Sequence, residues 1–404
     1  MALLKIRKLE TINTDILYNT LPKMPALSLE LCPGRLVGED QPVFIIAEIG
    51  QNHQGELQLA KQMIAAAKQA GVDCVKFQKS SLQDKFNSAA LARPYTGQNS
   101  WGETYGEHKH HLEFSQAEYL QLQQYAHDQG LFFTASAMDP VSAAFLDRIN
   151  VPFIKIGSGD VANLSMMVEV AKRGKPMVIS TGMSSMSWVR TIYATVKRYT
   201  DRFVFLQCTS SYPTQPAEVN LRVMDTFREE FRDINIGYSG HEEGIAVTVA
   251  AAAMGAMVVE RHFTLDKTMK GSDHKCSLEP RELELMVQHI RNKTELVLLK
   301  DVFHSEDIKR IQEAMGSNKK EVQASEVECI RKLGKTIVAK EDIPKNTVVS
   351  ADMVNIKVAE PPGIDPRNID LYIGKLTKAD VLKDESISSE ILTTVAISIV
   401  QSVQ

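Results

Sequence analysis

Between Val43 and Phe263, apolar runs of five to eight residues alternate with longer stretches whose apolar positions recur every three or four residues. The runs are VFIIAEIG from Val43, CVKFQ from Cys74, LFFTAS from Leu131, FIKIGS from Phe153, MVIST from Met177, FVFLQCT from Phe203, INIGYS from Ile234 and MVVERHF from Met257. Each is short and mostly apolar, the pattern of a strand covered on both faces. Most starts fall roughly 22 to 31 residues apart, and the second gap is nearly twice that. Strands separated by helix-length segments predict parallel βαβ units. Eight units over about 220 residues predict an α/β fold closed as a TIM (β/α)8 barrel.

The intervening segments carry helix punctuation. Leu57, Ala60, Met63, Ile64 and Ala67 share one helical face, and Gly71 supplies the stop. Ser115 and Glu118 form a capping-box pair, flanked by Phe114 and Tyr119 as a hydrophobic staple, and that helix is expected to end near Gly130. The long second connection, Lys79 to Phe114, holds Arg93, Tyr95, Trp101, Tyr105 and Lys109. Loops of that length in compact domains are usually functional or disordered, and this composition points to an ordered binding lid.

After about Arg291 the pattern changes. Residues 293–314 read as helix, Gly316 to Lys320 as the start of a linker, and from Leu333 short strands are broken by Pro, Gly, Asn and Asp. The expected division is an N-terminal extension 1–28, a barrel 29–315, a linker 316–331, a small module 332–393 and a tail 394–404. A module of about 60 residues has little core of its own, so packing on the barrel or on a second subunit is expected.

Composition narrows the class. The 404 residues are 44% hydrophobic and 24% charged, with a formal net charge of −4. That excludes nucleic acid as the main partner while leaving room for local basic groups facing phosphate. The cysteines Cys32, Cys74, Cys208, Cys276 and Cys329 are odd in number and lack CxxC spacing, which fits reduced thiols in the cytoplasm. Cys74 and Cys208 lie in strand runs and read as small core residues. The N-terminus lacks a signal-type apolar region, and ILTTVAISIV near the end is about half a bilayer span, so no membrane association is expected.

Candidate chemistry gathers where the strands end. Glu48, Lys76, Gln78, Thr134, Ser136, Lys155, Ser158, Ser180, Thr209, Ser210, Ser239, His241, Glu260 and His262 all fall there. Residues two apart share a strand face, so Lys76 and Gln78 point the same way. Barrel enzymes keep their chemistry at this rim. Lysines with hydroxyls suit a phosphate. Gly157-Ser158-Gly159 and Ser180-Thr181-Gly182 let backbone N–H groups approach an anion. His241 and His262, 21 residues apart on adjacent strands, suit a shared metal ion. Taken singly, each reads as a salt-bridge partner, a hydrogen-bonded histidine or turn chemistry; convergence at one rim is the stronger signal. Glu260 reads as structural, paired with Arg261 or a neighbouring lysine. Tyr238 and Phe263 read as packing residues, and Glu306 to Arg310 as a solvated helix face.

FIIAEIGQNHQG, VKFQKS, IKIGSGD, ISTGM, QCTSSYPT, IGYSGHEEG and ERHFTLDKTMKGSDHKCSLEP, in that order, resemble the N-acylneuraminate (sialic acid) synthase family from about Leu29 to about Leu392. ELCPGR, the ARPYT loop and KGSDH are similar to the animal 9-phosphate members. The resemblance implies a TIM barrel followed by an antifreeze-like SAF domain, working as a domain-swapped homodimer. It implies metal-dependent condensation of phosphoenolpyruvate with N-acetylmannosamine 6-phosphate, giving N-acetylneuraminate 9-phosphate and phosphate. By the same resemblance His241 and His262 hold Mn2+ or Mg2+, and the sugar aldehyde completes the site. Glu48 orients or activates the attacking water. Lys155, Ser158, Ser180, Ser210 and Ser239 bind phosphate, Lys76 and Ser136 lie near the phosphoenolpyruvate carboxylate, and Gln78, Asp160, Tyr212 and Asp273 meet the sugar. Bacterial members carry an arginine in the SAF domain where this chain has Glu360. Sugar-phosphate binding is therefore expected to rest on the long loop, through Arg93, Lys79, Lys85 or Lys109. Three alternatives stand beside this: a synthase using the unphosphorylated sugar, a Schiff-base aldolase with Lys76 or Lys155 as nucleophile, and a catalytically silent sugar-phosphate-binding or scaffolding protein.

Overall fold

A computed structural model of the chain describes residues 27–393; the expected N-terminal extension up to residue 26 and the tail 394–404 lie outside the described residues. The chain enters through a hairpin, β1 (Ser28–Cys32) and β2 (Arg35–Gly38), turned at Gly34 with φ 73°. The apolar pattern did not mark this hairpin, because its strands are short and half exposed.

Eight parallel strands then close a barrel in sequential order: β3 (Phe44–Gly50), β4 (Cys74–Lys79), β5 (Phe132–Ala137), β6 (Ile154–Ile156), β7 (Met177–Ser180), β8 (Phe203–Cys208), β9 (Asn235–Gly240) and β10 (Val258–His262). These are the eight runs read from the sequence. Ile45, Ala47 and Ile49 face the helical layer, whereas Phe44 and Ile46 face the barrel interior. The inward set continues with Cys74, Phe153, Val178, Val204, Leu206 and Val258, and Leu31, Cys32 and Val37 of the hairpin close it from below. Alternation then dictates the rim. The parity that sends Phe44 and Ile46 into this floor sends Glu48 to the upper mouth. The same rule carries Cys74 to Lys76 and Gln78, Phe153 to Lys155, Val178 to Ser180, and Val258 to Glu260 and His262.

The helices follow the sequence signals. Leu57–Ala70 buries Ala60, Met63, Ile64 and Ala67 and ends on Gly71 in the left-handed region, φ 85°. Gln116–Asp128 starts at a capping box of Ser115 and Glu118, with Phe114 and Tyr119 packed edge to face at 6.4 Å. The long second connection is ordered. It forms short helices at Leu82–Lys85, Ser88–Ala92 and Tyr105–Leu112, the last begun by a capping box of Thr104 and Glu107.

The small module pairs β11 (Thr336–Ala339) antiparallel with β12 (Val354–Lys357) around Ile337, Ile343, Val349, Ile364, Val381 and Ile387. It packs on the barrel's upper face, as its size required. Phe86 of the long connection bridges to Val358, and Ser88 donates to Asp384 through both its backbone N–H and its hydroxyl. Lys335 makes a buried ion pair with Asp160 at 3.0 Å. The segment expected as a linker is also docked: Lys320 and Glu326 are buried at the barrel mouth. Among the described residues no helix is long and apolar enough to cross a membrane.

Candidate active site

The rim brings two buried lysines and two buried carboxylates together. Lys76 Nζ lies 2.6 Å from Glu48 Oε2 and 3.6 Å from Glu260 Oε1. Lys155 Nζ lies 3.6 Å from the same Glu260 oxygen. Each lysine also donates to a serine hydroxyl at 2.8 Å, Lys76 to Ser136 and Lys155 to Ser180. Gln78 donates to Glu48 Oε1 at 3.0 Å. Strand register explains the closeness, since Glu48 pairs with Lys76, Ser136 with Lys155, and His262 with Glu48.

Burial separates the two carboxylates. It pushes Glu48 up to about 6, with Lys76 opposing and Glu260 adding to the rise. Burial also acts on Glu260, but Lys155 and Lys76 outweigh it and hold that carboxyl below its ordinary value. Glu260 is therefore the permanent counter-ion and Glu48 the group poised to exchange a proton. Burial, joined by Lys76, lowers Lys155 against the opposing Glu260. Burial acts the same way on Lys76, but there Glu260 and Glu48 prevail and raise it. The sequence reading of Glu260 as a lysine partner was right in kind. Arg261 is not that partner: it pairs with Glu242 at 2.9 Å behind the strand. What the reading missed is that Glu260 joins the site, and its parity with His262 was the available signal.

A hydroxyl cradle stands beside the lysines. The Gly182 N–H donates to Ser158 Oγ at 3.0 Å, and Ser210 Oγ is buried without a partner. A Cβ on Gly182 would stand 2.2 Å from Ser210 Oγ and 2.7 Å from Ser158 Oγ, so both hydroxyls converge on a spot only glycine leaves open. Ser239 is buried in the neighbouring strand, in register with Cys208 and Glu260. Cys208 is buried as expected, yet its Sγ lies 3.5 Å from Ser158 Oγ, making it a wall of the site rather than of the core.

The two histidines face each other, ring centres 5.3 Å apart, with Tyr212 over His241 at 4.1 Å. Burial holds His262 down to about 3, so it is neutral at working pH, and its Nδ1 is buried without a hydrogen-bond partner. His241 Nδ1 faces the Thr209 carbonyl at 2.9 Å. A carbonyl only accepts, so Nδ1 carries the proton and Nε2 keeps a lone pair. Burial lowers His241, but Cys208 and the Thr209 carbonyl outweigh it, and its pKa is raised. A cation would compete with a second proton for the Nε2 lone pair. The donor chemistry fits a divalent cation. Among the described residues no group of three His, Cys, Asp or Glu forms, so oxygen ligands would have to come from substrate or water.

The remaining expected residues divide. Asp273 Oδ2 lies 4.0 Å from His262 Nδ1, at the site's edge. Asp160 is buried and held by Lys335. Lys79 points the other way, to Glu113 and the Phe114 carbonyl, because its parity is that of Phe77 and not of Gln78. Arg93 lies over the Tyr105 ring at 4.1 Å, and Lys85 is buried against Met138. Lys109 alone of the four loop cations lines the cleft beside Asp273. Glu360 is solvent-exposed, and its backbone N–H donates to Asn87. Sequence reasoning did not single out Glu326, whose Oε1 accepts from the Met183 and Ser210 N–H groups at 2.7 and 2.8 Å. Nothing in a linker-like stretch marks such a long-range contact.

The NeuB family matches residues 63–300 and the SAF domain matches 334–390. The chain is 52% identical to the N-acetylneuraminate-9-phosphate synthase of Homo sapiens, over 91% of this chain and 97% of that protein. It is 44% identical to the Drosophila melanogaster protein of the same name, over 89% and 97% respectively. Among solved structures, the spore coat polysaccharide biosynthesis protein SpsE of Bacillus subtilis aligns with a TM-score of 0.72 at 28% identity, covering 91% of this chain and 99% of that one.

Proposed function

Because this chain belongs to the NeuB family and carries a SAF domain behind its barrel, we propose that it condenses phosphoenolpyruvate with N-acetylmannosamine 6-phosphate, giving N-acetylneuraminate 9-phosphate and phosphate. The reading is carried by one observation: two buried lysines, each bonded to a serine hydroxyl, flank the paired carboxylates Glu48 and Glu260 beside two facing histidines.

In this reading Lys76 and Ser136 take the phosphoenolpyruvate carboxylate, and Lys155, Ser158, Ser180, Ser210 and Ser239 take its phosphate. Gln78, Tyr212, Asp160 and Asp273 orient the sugar. A divalent cation on His241 and His262, Mn2+ or Mg2+, supplies Lewis-acid polarisation of the sugar aldehyde when bound. The C2=C3 π pair of phosphoenolpyruvate forms the new bond from carbon 3 to the aldehyde carbon, the aldehyde C=O π bond opens and its oxygen takes up a proton. Water adds to the electron-poor carbon 2, giving one proton to Glu48, and the bond from carbon 2 to the phosphate oxygen breaks as the hydroxyl on carbon 2 loses its proton and becomes the carbonyl. Glu260 keeps Lys76 charged throughout and leaves the proton transfer to Glu48. Five cysteines with no disulfide among the described residues support a reducing compartment, the cytoplasm. We extend the reading to a homodimer with exchanged SAF modules, since the contacts of Lys335 with Asp160 and of Asp384 with Ser88 would join module to barrel equally well between two chains.

The test is phosphate release from phosphoenolpyruvate with the free or the 6-phosphorylated sugar, before and after chelation. Release with the phosphorylated sugar, stopped by chelator and restored by Mn2+ or Mg2+, is expected. No release with either sugar would sink the reading. Release with the free sugar alone would reassign the substrate, and insensitivity to chelation would remove the cation.

A further inference from the structure

A narrow cleft adjoins the rim on the side of Asp273. Its walls come from four separate parts of the chain: Gln51 after β3, Tyr95, Trp101 and Lys109 from the long connection, Asp273 from the loop after β10, and Lys332 from the helix leading into the SAF module. The aromatic wall is stacked and fixed, with Trp101 parallel to His111 at 5.3 Å and covered by Lys270 at 4.6 Å.

The charges in this cleft are out of balance. Lys109 donates to the neutral Gln51 at 2.8 Å. Among the described residues neither Lys109 nor Lys332 makes a salt bridge, and Asp273 is the one carboxylate that lines the cleft with them. Burial and the nearby Lys332 hold the Lys109 ammonium down to about 8, the mark of a cation lacking its anion. Two ammonium groups brought together from distant segments, beside a fixed aromatic wall and next to the sugar end of the site, fit a dianion on a carbohydrate.

We propose that this cleft holds the phosphorylated end of the acyl-sugar, with Lys109 and Lys332 gripping the phosphate and Tyr95 and Trp101 packing the sugar's apolar face. The assignment rests on the synthase reading above and deepens it. It also accounts for the exposed Glu360, because the cationic contact comes from the hinge before the SAF module instead of from the module's own loop. Lys332 and Lys109 are then specificity-determining residues that decide between the phosphorylated and the free sugar.

The experiment is steady-state kinetics of Lys332→Gln, Lys109→Gln and Lys332→Arg, varying each substrate in turn. Loss of one charge-assisted contact is expected to raise KM for N-acetylmannosamine 6-phosphate about 10- to 100-fold in either glutamine variant. KM for phosphoenolpyruvate and the melting temperature should hold, and Lys332→Arg should recover most of the loss. Unchanged KM for the sugar phosphate in both glutamine variants would overturn the subsite, as would a parallel rise in both KM values. Inactivity of the wild-type protein with both sugars would instead overturn the synthase reading on which the subsite rests.

Discussion

At the scale of single residues, two glutamates at the same rim do different work, and burial is the reason. Glu260 lies between two lysines that keep it ionised, whereas Glu48 meets one lysine and the repulsion of Glu260. With its carboxyl near 6, Glu48 is protonated below that pH and cannot accept a proton from water. The acid limb of kcat/KM for phosphoenolpyruvate is therefore expected to fall near pH 6, with activity rising as pH increases through it. Glu48→Gln should lower kcat by about 100-fold or more and abolish that limb, by the usual size of general-base contributions. An unaltered limb in the variant would assign the titration elsewhere. The residues themselves were legible from strand parity, but the division of labour between them was not. It depends on which lysine lies across the barrel, and strand alternation gives direction without distance.

At the scale of elements, strand ends supply the chemistry and connections supply its walls. The stretch before the SAF module looked like slack chain, yet its Glu326 fastens the loops after β7 and β8 to each other through the Met183 and Ser210 N–H groups. Those loops carry Gly182 and Ser210, which form the hydroxyl cradle together with Ser158 from the end of β6. Removing the carboxylate leaves two backbone donors buried without partners. Glu326→Ala is expected to cost about 2 to 4 kcal/mol in denaturant unfolding and to raise KM for phosphoenolpyruvate, with Glu326→Gln milder on both counts. An unchanged unfolding midpoint would show that the contact does not hold the loops. The helices were easier to read, because caps such as Ser115 with Glu118 and stops such as Gly71 act within a few residues. The β1–β2 hairpin was missed for the opposite reason: its value lies in plugging the barrel floor with Leu31 and Val37, which only the closed barrel reveals.

At the scale of the whole molecule, the SAF module matters through where it sits. Its own core is small, and it leans on the barrel through Phe86, Ser88 and Asp160. The proposed dimer is checked by sedimentation velocity at micromolar concentration, where a species of two chains is expected and a single chain would remove it. Exchange of modules has its own measurement. Ser88→Cys with Asp384→Cys, oxidised and run without reductant, should link two chains if modules are swapped, and should leave one chain if each module caps its own barrel.

What the sequence determined by itself is whatever local periodicity encodes. Eight apolar runs with polar ends dictate a barrel whose upper rim carries Glu48, Lys76, Gln78, Lys155, Ser180, Glu260 and His262, because alternation over two residues leaves each side chain no other face. What only the tertiary structure decided is which distant charges meet. Lys79 differs from Gln78 by one position and is turned to Glu113, while Lys332, far along the chain, comes to the cleft beside Lys109. Contacts across such separations follow from chain closure and packing, which no local pattern records.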